Sequence, residues 1–299
     1  WSSDVCSSDL ISTLGFDGGY INGANMWNKG VEMQLNAKVL EWHDFQWFAN
    51  FVFGYNKNKI TKNAILDSNP AYNLTHGLTE FMAGYPREAL WSYRWAGLDE
   101  NGNPLTYDAE GNKTDVPVAE SVECNGSYRP KYSGSLSTDF KYKNLTLMFS
   151  FIYNFGHVFR VAYPTMDAGS VAKGSSANLS AFVGKRWRKP GDEAITDIPS
   201  IRTKDYKNND RASLAVYSSN SVRKGDFIRL REITLNYELP QLLVKKSPFA
   251  RVSLTAQANT VWMWTKNKEG FDPEAVDPVS GKLGLSEAPS FTFGLRVEF

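Results

Sequence analysis

Cysteine is nearly absent: Cys6 and Cys124 are the two among 299 residues. So few exclude a disulfide framework or a cysteine zinc cluster. Histidine is almost as scarce, and His43, His76 and His157 stand far apart with no i, i+4 pair to hold a metal. No G-x-S-x-G, P-loop or G-x-G-x-x-G segment occurs, so no enzyme activity and no cofactor are expected. The formal net charge of +1 lacks the concentrated basic face that a nucleic-acid partner requires. No run of 18 apolar residues is present, which removes a transmembrane helix. It does not remove a transmembrane barrel, whose strands are about 9–11 residues long and half polar. The N-terminus has no basic stretch followed by an apolar one, as a secretory leader would. Residues 1–10, WSSDVCSSDL, match nothing downstream; read back into codons they resemble a common sequencing-library adapter. We expect 1–10 to be a translated artefact and 11–299 to be the natural segment, with Cys124 its one cysteine.

Aromatic residues are abundant at 14%, with nine Trp and fourteen Tyr. Many of them alternate with polar residues at the period-2 spacing of a strand with two unlike faces. Val31, Met33, Leu35, Ala37 and Val39 share one face, and after a turn at 42–44 Phe45, Trp47, Ala49, Phe51, Phe53 and Tyr55 share another. The clearest hairpin places Tyr132, Leu136, Phe140 and Tyr142 before a turn at 143–144, then Leu145, Leu147, Phe149, Phe151, Tyr153 and Phe155 after it. Residues 226–239 form a strand with a phase slip. Ile228 and Leu230 fall on even positions, Ile233, Leu235 and Tyr237 on odd ones, so a β-bulge is expected near Arg231-Glu232. Val252 to Trp264 alternate again, with Trp262 and Trp264 in the outward register of an interfacial girdle. The last strand sets Phe291, Phe293, Leu295, Val297 and Phe299 on one face, the pattern with which a transmembrane barrel closes. Short turns at 42–44, 143–144 and 240–249 alternate with long loops, as periplasmic turns and extracellular loops do in outer-membrane barrels.

The loops are less legible. Residues 89–97 and 104–107 read as two short strands, with the barrel wall and an extracellular hairpin both open as their place. Asp99, Asn101, Asn103 and Glu110 fall at positions 1, 3, 5 and 12 of an EF-hand-like loop, a weak calcium alternative. Pro104 stands where that loop needs glycine, and turn-forming Asx residues explain the same text, so no metal is the expectation. Residues 175–187 are a helix candidate, and the basic run at 185–192 reads as a solvated loop face. Tyr72, Trp187, Tyr206 and Tyr217 are the candidate substrate-stacking aromatics, since sugar rings offer apolar faces to such platforms.

A resemblance then emerges in blocks. Asn28-Lys-Gly-Val-Glu-Met, Tyr55-Asn-Lys-Asn-Lys-Ile60, Ala96-Gly-Leu-Asp-Glu-Asn-Gly-Asn-Pro104 and Pro130-Lys-Tyr-Ser-Gly come first. Arg186-Trp-Arg-Lys-Pro-Gly-Asp192, Phe227-Ile-Arg-Leu-Arg-Glu-Ile-Thr-Leu-Asn-Tyr237, Gln257-Ala-Asn-Thr-Val and Asp272-Pro-Glu274 follow. Together they resemble the SusC/RagA family of TonB-linked outer-membrane transporters. The resemblance implies an all-β fold, the C-terminal part of a 22-stranded antiparallel transmembrane barrel with about seven to nine strands here. It implies a plug domain and a TonB-contacting segment in a missing N-terminal part, a SusD-like lipoprotein lid, and outer-membrane lipid around the wall. The cargo would be an oligosaccharide or another large nutrient such as a peptide. The alternative from the residues alone is a secreted carbohydrate-binding β-sandwich, which predicts shorter strands and a polar C-terminus. A glycoside hydrolase using Asp272, Glu274 and Asp277 is the third reading, and the family match makes these acids structural.

Overall fold

The protein is described by a computed structural model covering residues 24–63, 70–77, 82–162, 181–201, 210–245 and 247–299, with two paired backbone pieces at Ser7–Ser8 and Gly19–Tyr20. One antiparallel sheet holds seven strands: β1 (Ala24–Trp42), β2 (Phe45–Asn63), β3 (Tyr132–Tyr142), β4 (Leu145–Phe155), β5 (Phe227–Glu238), β6 (Arg251–Thr265) and β7 (Ser290–Glu298). Spatial order follows chain order, so the sheet is an up-and-down meander. β1 and β2, at 19 residues each, are far longer than the usual five or six. The polar stretch that follows Tyr55 is therefore strand as far as Asn63, not the start of a loop.

Register keeps like with like across the whole sheet. One row runs Leu35, Phe51, Leu136, Phe151, Leu230 and Trp262. The adjacent row, on the other face, runs Asn36, Asn50, Ser137, Ser150, Glu232, Asn259 and Ser290. This polar row is cross-linked in places: Asn50 Nδ2 donates to Asn36 Oδ1 at 2.5 Å and Asn259 Nδ2 to Ser290 Oγ at 3.1 Å. The polar face also carries Phe48, Val52 and Ile152, so it is mixed and not uniformly hydrophilic. The apolar face stays open: Trp42 is 66% exposed and Phe293 82%. Soluble monomers rarely expose contiguous apolar patches beyond a few hundred Å², so this face is unlike an ordinary water-facing surface. Tyr55 and Tyr132 mark one end of the band, and Trp42, Phe45, Tyr142 and Tyr237 the other. The 11-residue strands between them span about 33 Å, or about 25 Å in height at the roughly 40° tilt of barrel strands, the height of such a band. The sheet is a segment of a barrel wall.

The phase slip in β5 is a bulge at Arg231. Ser150 and Phe151 pair with Glu232 and Leu230, and on β6 Thr260 and Val261 lie opposite the skipped residue. Thr260 takes a left-handed φ of 53°, a strained conformation for a β-branched residue. Two-residue turns at His43-Asp44 and Lys143-Asn144 and the short helix α3 (Gln241–Val244) lie at one end of the sheet. The three long connections lie at the other end and form a cap.

The cap holds the buried core. Residues 89–107 belong here and not to the wall: Ala89–Tyr93 pairs with Val122–Ser127, and Gly97–Leu98 with Pro104–Tyr107. The ends of the long connection between β4 and β5 are zipped together by Val158–Arg160 on Val222–Lys224. Helices α1 (Pro70–His76) and α2 (Arg211–Tyr217) contribute to clusters around Ala71, Tyr93 and Leu214, and a second cluster joins Phe159, Val161 and Val276. Of the helix expected at 175–187, the described part is a 3-10 turn at Ala181–Lys185, and 175–180 lie outside the described residues. The cap leans on the upper end of the polar face, where Ile60, Phe227 and Arg229 are buried.

Candidate functional site

Arg160 is the point where all three cap loops meet. It follows two buried apolar residues, Val158 and Phe159, on a strand too short to expose it, and is fully buried. Its Nη1 donates to the carbonyls of Thr75 at 3.1 Å and Val279 at 2.7 Å; its Nη2 donates to the Trp91 carbonyl at 2.6 Å and Ser92 Oγ at 2.8 Å. Thr75, Trp91 and Ser92 come from the first long connection and Val279 from the third. Burial pulls its pKa down to about 10, so the guanidinium remains charged at neutral pH. Among the described residues no carboxylate pairs with it, and its charge is met by carbonyl dipoles and the Tyr217 ring, 4.7 Å away.

Beside Arg160 an aromatic stack runs out to the surface. Tyr217 and Tyr72 sandwich His76, each with ring centroids 3.8 Å from the imidazole. Tyr72 and His76 lie one turn apart on α1, while Tyr217 ends α2. His76 Nδ1 lies 2.9 Å from the Tyr72 carbonyl oxygen, the place of a donated N–H, and Nε2 lies 3.3 Å from Ser213 Oγ. Burial lowers the His76 pKa, so the ring is neutral at pH 7. Tyr72 is 44% exposed. Of the four sequence-predicted stacking residues, the structure thus brings Tyr72 and Tyr217 together. Trp187 stands elsewhere, half-buried over Gly102, where an added Cβ would lie 2.6 Å from its ring, and its Nε1 donates to Glu193 at 3.0 Å. Tyr206 lies outside the described residues.

The calcium alternative meets an Asx turn. Asp99 Oδ1 accepts from the Asn101 and Asn103 amides at 2.9 and 2.7 Å, and Oδ2 from Asn103 Nδ2 at 2.9 Å. Asn103 Oδ1 in turn accepts from the buried Arg211 Nε at 2.9 Å. Glu110 sits in a second turn of the same design, where Asp108 Oδ1 accepts from the Asn112 amide at 2.7 Å. Hydrogen bonding inside these turns accounts for Asp99, Asn101 and Asn103 without an ion, and among the described residues no group of three His, Cys, Asp or Glu is placed to hold a metal. In the basic run, Asp192 Oδ2 accepts from the Arg188 and Lys189 amides at 3.0 and 3.1 Å, and the Arg188 guanidinium donates to the Gly184 carbonyl. That is a self-capped surface turn.

The wall and cap are joined by Arg229. Its Nη2 reaches Asp272 Oδ1 at 2.6 Å and Glu274 Oε2 at 2.9 Å, and Arg229 and Asp272 are both buried. Asp272 and Glu274 are thereby committed to structure. Asp277 is likewise occupied, its Oδ1 accepting from the Ser280 amide and hydroxyl at 2.6 and 2.7 Å.

No protein-family model matches the chain. Among curated proteins, TonB-dependent receptor P39 of Formosa agariphila is 28% identical, over 95% of this chain and 31% of the relative. TonB-dependent receptor SusC of Bacteroides thetaiotaomicron is 24% identical, over 93% of this chain and 27% of the relative. The chain is a homologue of the TonB-dependent receptors. It spans about a third of the length of the curated relatives it matches, 27–31%. A solved structure of the RagAB peptide importer in its closed-closed state aligns with a TM-score of 0.72 at 24% identity, covering 97% of this chain and 31% of that one. Its open-open state aligns with a TM-score of 0.68. These two matches speak for the fold. In this TonB-dependent receptor homologue, two separate sequence blocks, Phe227 to Tyr237 and Asp272-Pro-Glu274, meet as a buried ion pair. The residues that sequence reading missed are Arg160, His76 and Arg211: none lies in a motif, and their partners are loop carbonyls and side chains distant in sequence.

Proposed function

We propose that residues 11–299 are the C-terminal wall segment of an outer-membrane TonB-dependent importer for oligosaccharides or other large nutrients such as peptides. The carrying observation is the seven-stranded sheet with one continuous apolar face and one polar face, capped at a single end. The apolar face lies against outer-membrane lipid. The turn end faces the periplasm, and the cap faces outward toward substrate and a SusD-like lipoprotein that closes over it. Energy reaches the barrel from TonB through a plug and contact segment carried by the rest of the parent chain. The segment does no bond-making chemistry and binds no metal. Tyr72, exposed and braced by His76 and Tyr217, is the stacking platform offered to cargo; Trp187 and Tyr206 are weaker candidates. Residues 1–10 remain assigned to the adapter.

A single sheet of strands 9 to 19 residues long with an open apolar face favours this reading over a β-sandwich, whose two sheets would bury those faces against each other. The test is uptake of labelled oligosaccharide and labelled peptide by cells carrying the intact parent chain. Accumulation that stops when the proton gradient is collapsed or TonB is removed supports the proposal. Uptake indifferent to both, or an intact chain that stays soluble and folded in plain buffer, overturns it.

A further inference from the structure

Beyond the aromatic rim the outward face of the β1–β2 hairpin changes chemistry. Val31 opposite Tyr55 is its last apolar pair. The next rows on the same face are Lys29 opposite Lys57, Trp27 opposite Lys59, and Asn25 opposite Lys62. The intervening rows, on the polar face, are Gly30–Asn56, Asn28–Asn58 and Met26–Ile60, so alternation puts Lys29, Lys57 and Lys59 on one side, and a register shift that skips Thr61 brings Lys62 to the same side. All four are exposed. At about 3.3 Å per residue and a tilt of roughly 40°, the three rows stand about 5, 10 and 15 Å beyond the rim, from headgroup depth outward.

Two lysines directly opposite on antiparallel strands repel. A nearby carboxylate would relieve that repulsion, as Glu41 does for Lys38, Asp44 for Lys143 and Asp226 for Lys266. Among the described residues none forms an ion pair with Lys29, Lys57, Lys59 or Lys62. Glu88 of the cap is taken on the opposite face by Asn58 Nδ2 at 2.7 Å. Trp27 lies among these lysines, with Lys29 Nζ 5.4 Å from its ring, as amphipathic residues do where bilayer meets water. The missing counter-charge is external and anionic.

We propose that the ladder Lys29, Lys57, Lys59 and Lys62 binds phosphate groups on the lipid headgroups of the surrounding leaflet and clamps the hairpin to them. Ammonium groups on flexible stems suit phosphates whose positions are not fixed by the protein. The inference rests on the membrane reading above, and the test separates the two. The intact parent chain is purified in neutral detergent and incubated with mixed micelles of a phosphorylated lipid or of the same lipid without its phosphate; retained lipid is counted per protein after gel filtration. Folding is followed independently by heat-modifiable gel mobility.

The wild type is expected to retain the phosphorylated lipid in preference to its dephosphorylated form, and retention is expected to fall with added salt. Lys→Gln substitution at the four positions is expected to weaken retention by about fivefold per lysine removed. The four-fold Lys→Arg variant keeps the charge and is expected to retain lipid like the wild type, which carries the test should the Gln variant fail to fold. Equal retention by a folded Gln variant, loss in a folded Arg variant, or equal retention of both lipids overturns the clamp. Full competition by millimolar inorganic phosphate also overturns it, leaving an unspecialised anion site. A chain that folds without detergent and retains neither lipid overturns the membrane reading itself.

Discussion

The wall and the cap solve the same problem, hiding apolar surface and satisfying polar backbone, by opposite means. In the wall, the ladder satisfies the backbone locally and the apolar side chains are left uncovered, with Phe293 82% exposed, which on the proposed reading suits a solvent that is itself apolar. In the cap, apolar residues from distant segments cover one another, as Ala71, Tyr93 and Leu214 do, and buried polar groups seek partners across loops. The wall therefore depends on the medium and the cap on a few central contacts. Many outward-facing wall residues are replaceable by others of like polarity, though not Gly134, where a Cβ would clash with the Val52 carbonyl oxygen, whereas a cap residue such as Arg160 is tied to several partners at once.

The sharpest way to break this comparison is Arg160→Leu in the intact chain. Loss of its donors strands three loop carbonyls and a serine, at a cost of about 3–5 kcal/mol. Hydrogen exchange should accelerate throughout the cap and stay unchanged in β3 and β4. Uniform acceleration would mean that the two regions are one cooperative unit. Next in size is Phe151→Arg, at the centre of the apolar face, expected to cost about 2–4 kcal/mol in lipid. Folding titrations in lipid vesicles measure it, and a neutral result would place that face in water.

A pH titration separates the regions without mutation. His76 and His157, both in the cap, have pKa values lowered by burial. Unfolded, they titrate near their ordinary 6.5, so the unfolded state binds more protons as the pH falls below that value. Cap protection is thus full above about pH 6.5 and declines as the pH drops toward and through the lowered folded values. Exchange followed from neutral to about pH 5 should show the cap loosening before the wall. The smallest effect belongs to Glu287→Gln, which removes an ion pair with Arg231 between half-exposed side chains. It should change stability by no more than about 1 kcal/mol in denaturant melts, and a larger loss would make this contact a second joint between wall and cap beside Arg229.

The wall was legible in the sequence because period-2 alternation is written in consecutive residues. Most of both faces, the turns at His43-Asp44 and Lys143-Asn144, and the bulge at Arg231 follow from parity, which fails at Val39 and Thr61: the register skips Val39, expected on the apolar face, and sets Leu40 and Trp42 there instead. The cap was legible only in fragments. Ala89–Tyr93 pairs with Val122–Ser127 some thirty residues on, and no local pattern announces such a partner. Tyr72 and Tyr217 were singled out for their chemistry, but their meeting through His76 depends on two helices from different loops. Arg160 looked like one loop residue among many, since its importance comes from carbonyls, and every residue has one. The Asp99 turn carried a double reading because the Asx residues that bend a chain are also those that bind calcium.

The bulge at Arg231 has a meaning for how this chain can change length. On either side of it the apolar residues of β5 keep opposite parity, Ile228 and Leu230 even, Ile233 and Leu235 odd. Removing one residue elsewhere in the strand would turn one half inside out. Removing Arg231 itself would instead bring both halves into a single unbroken alternation. The position is a slot at which a single-codon gain or loss leaves the inside and outside of the barrel where they were, and related chains that differ by one residue in this strand should differ there.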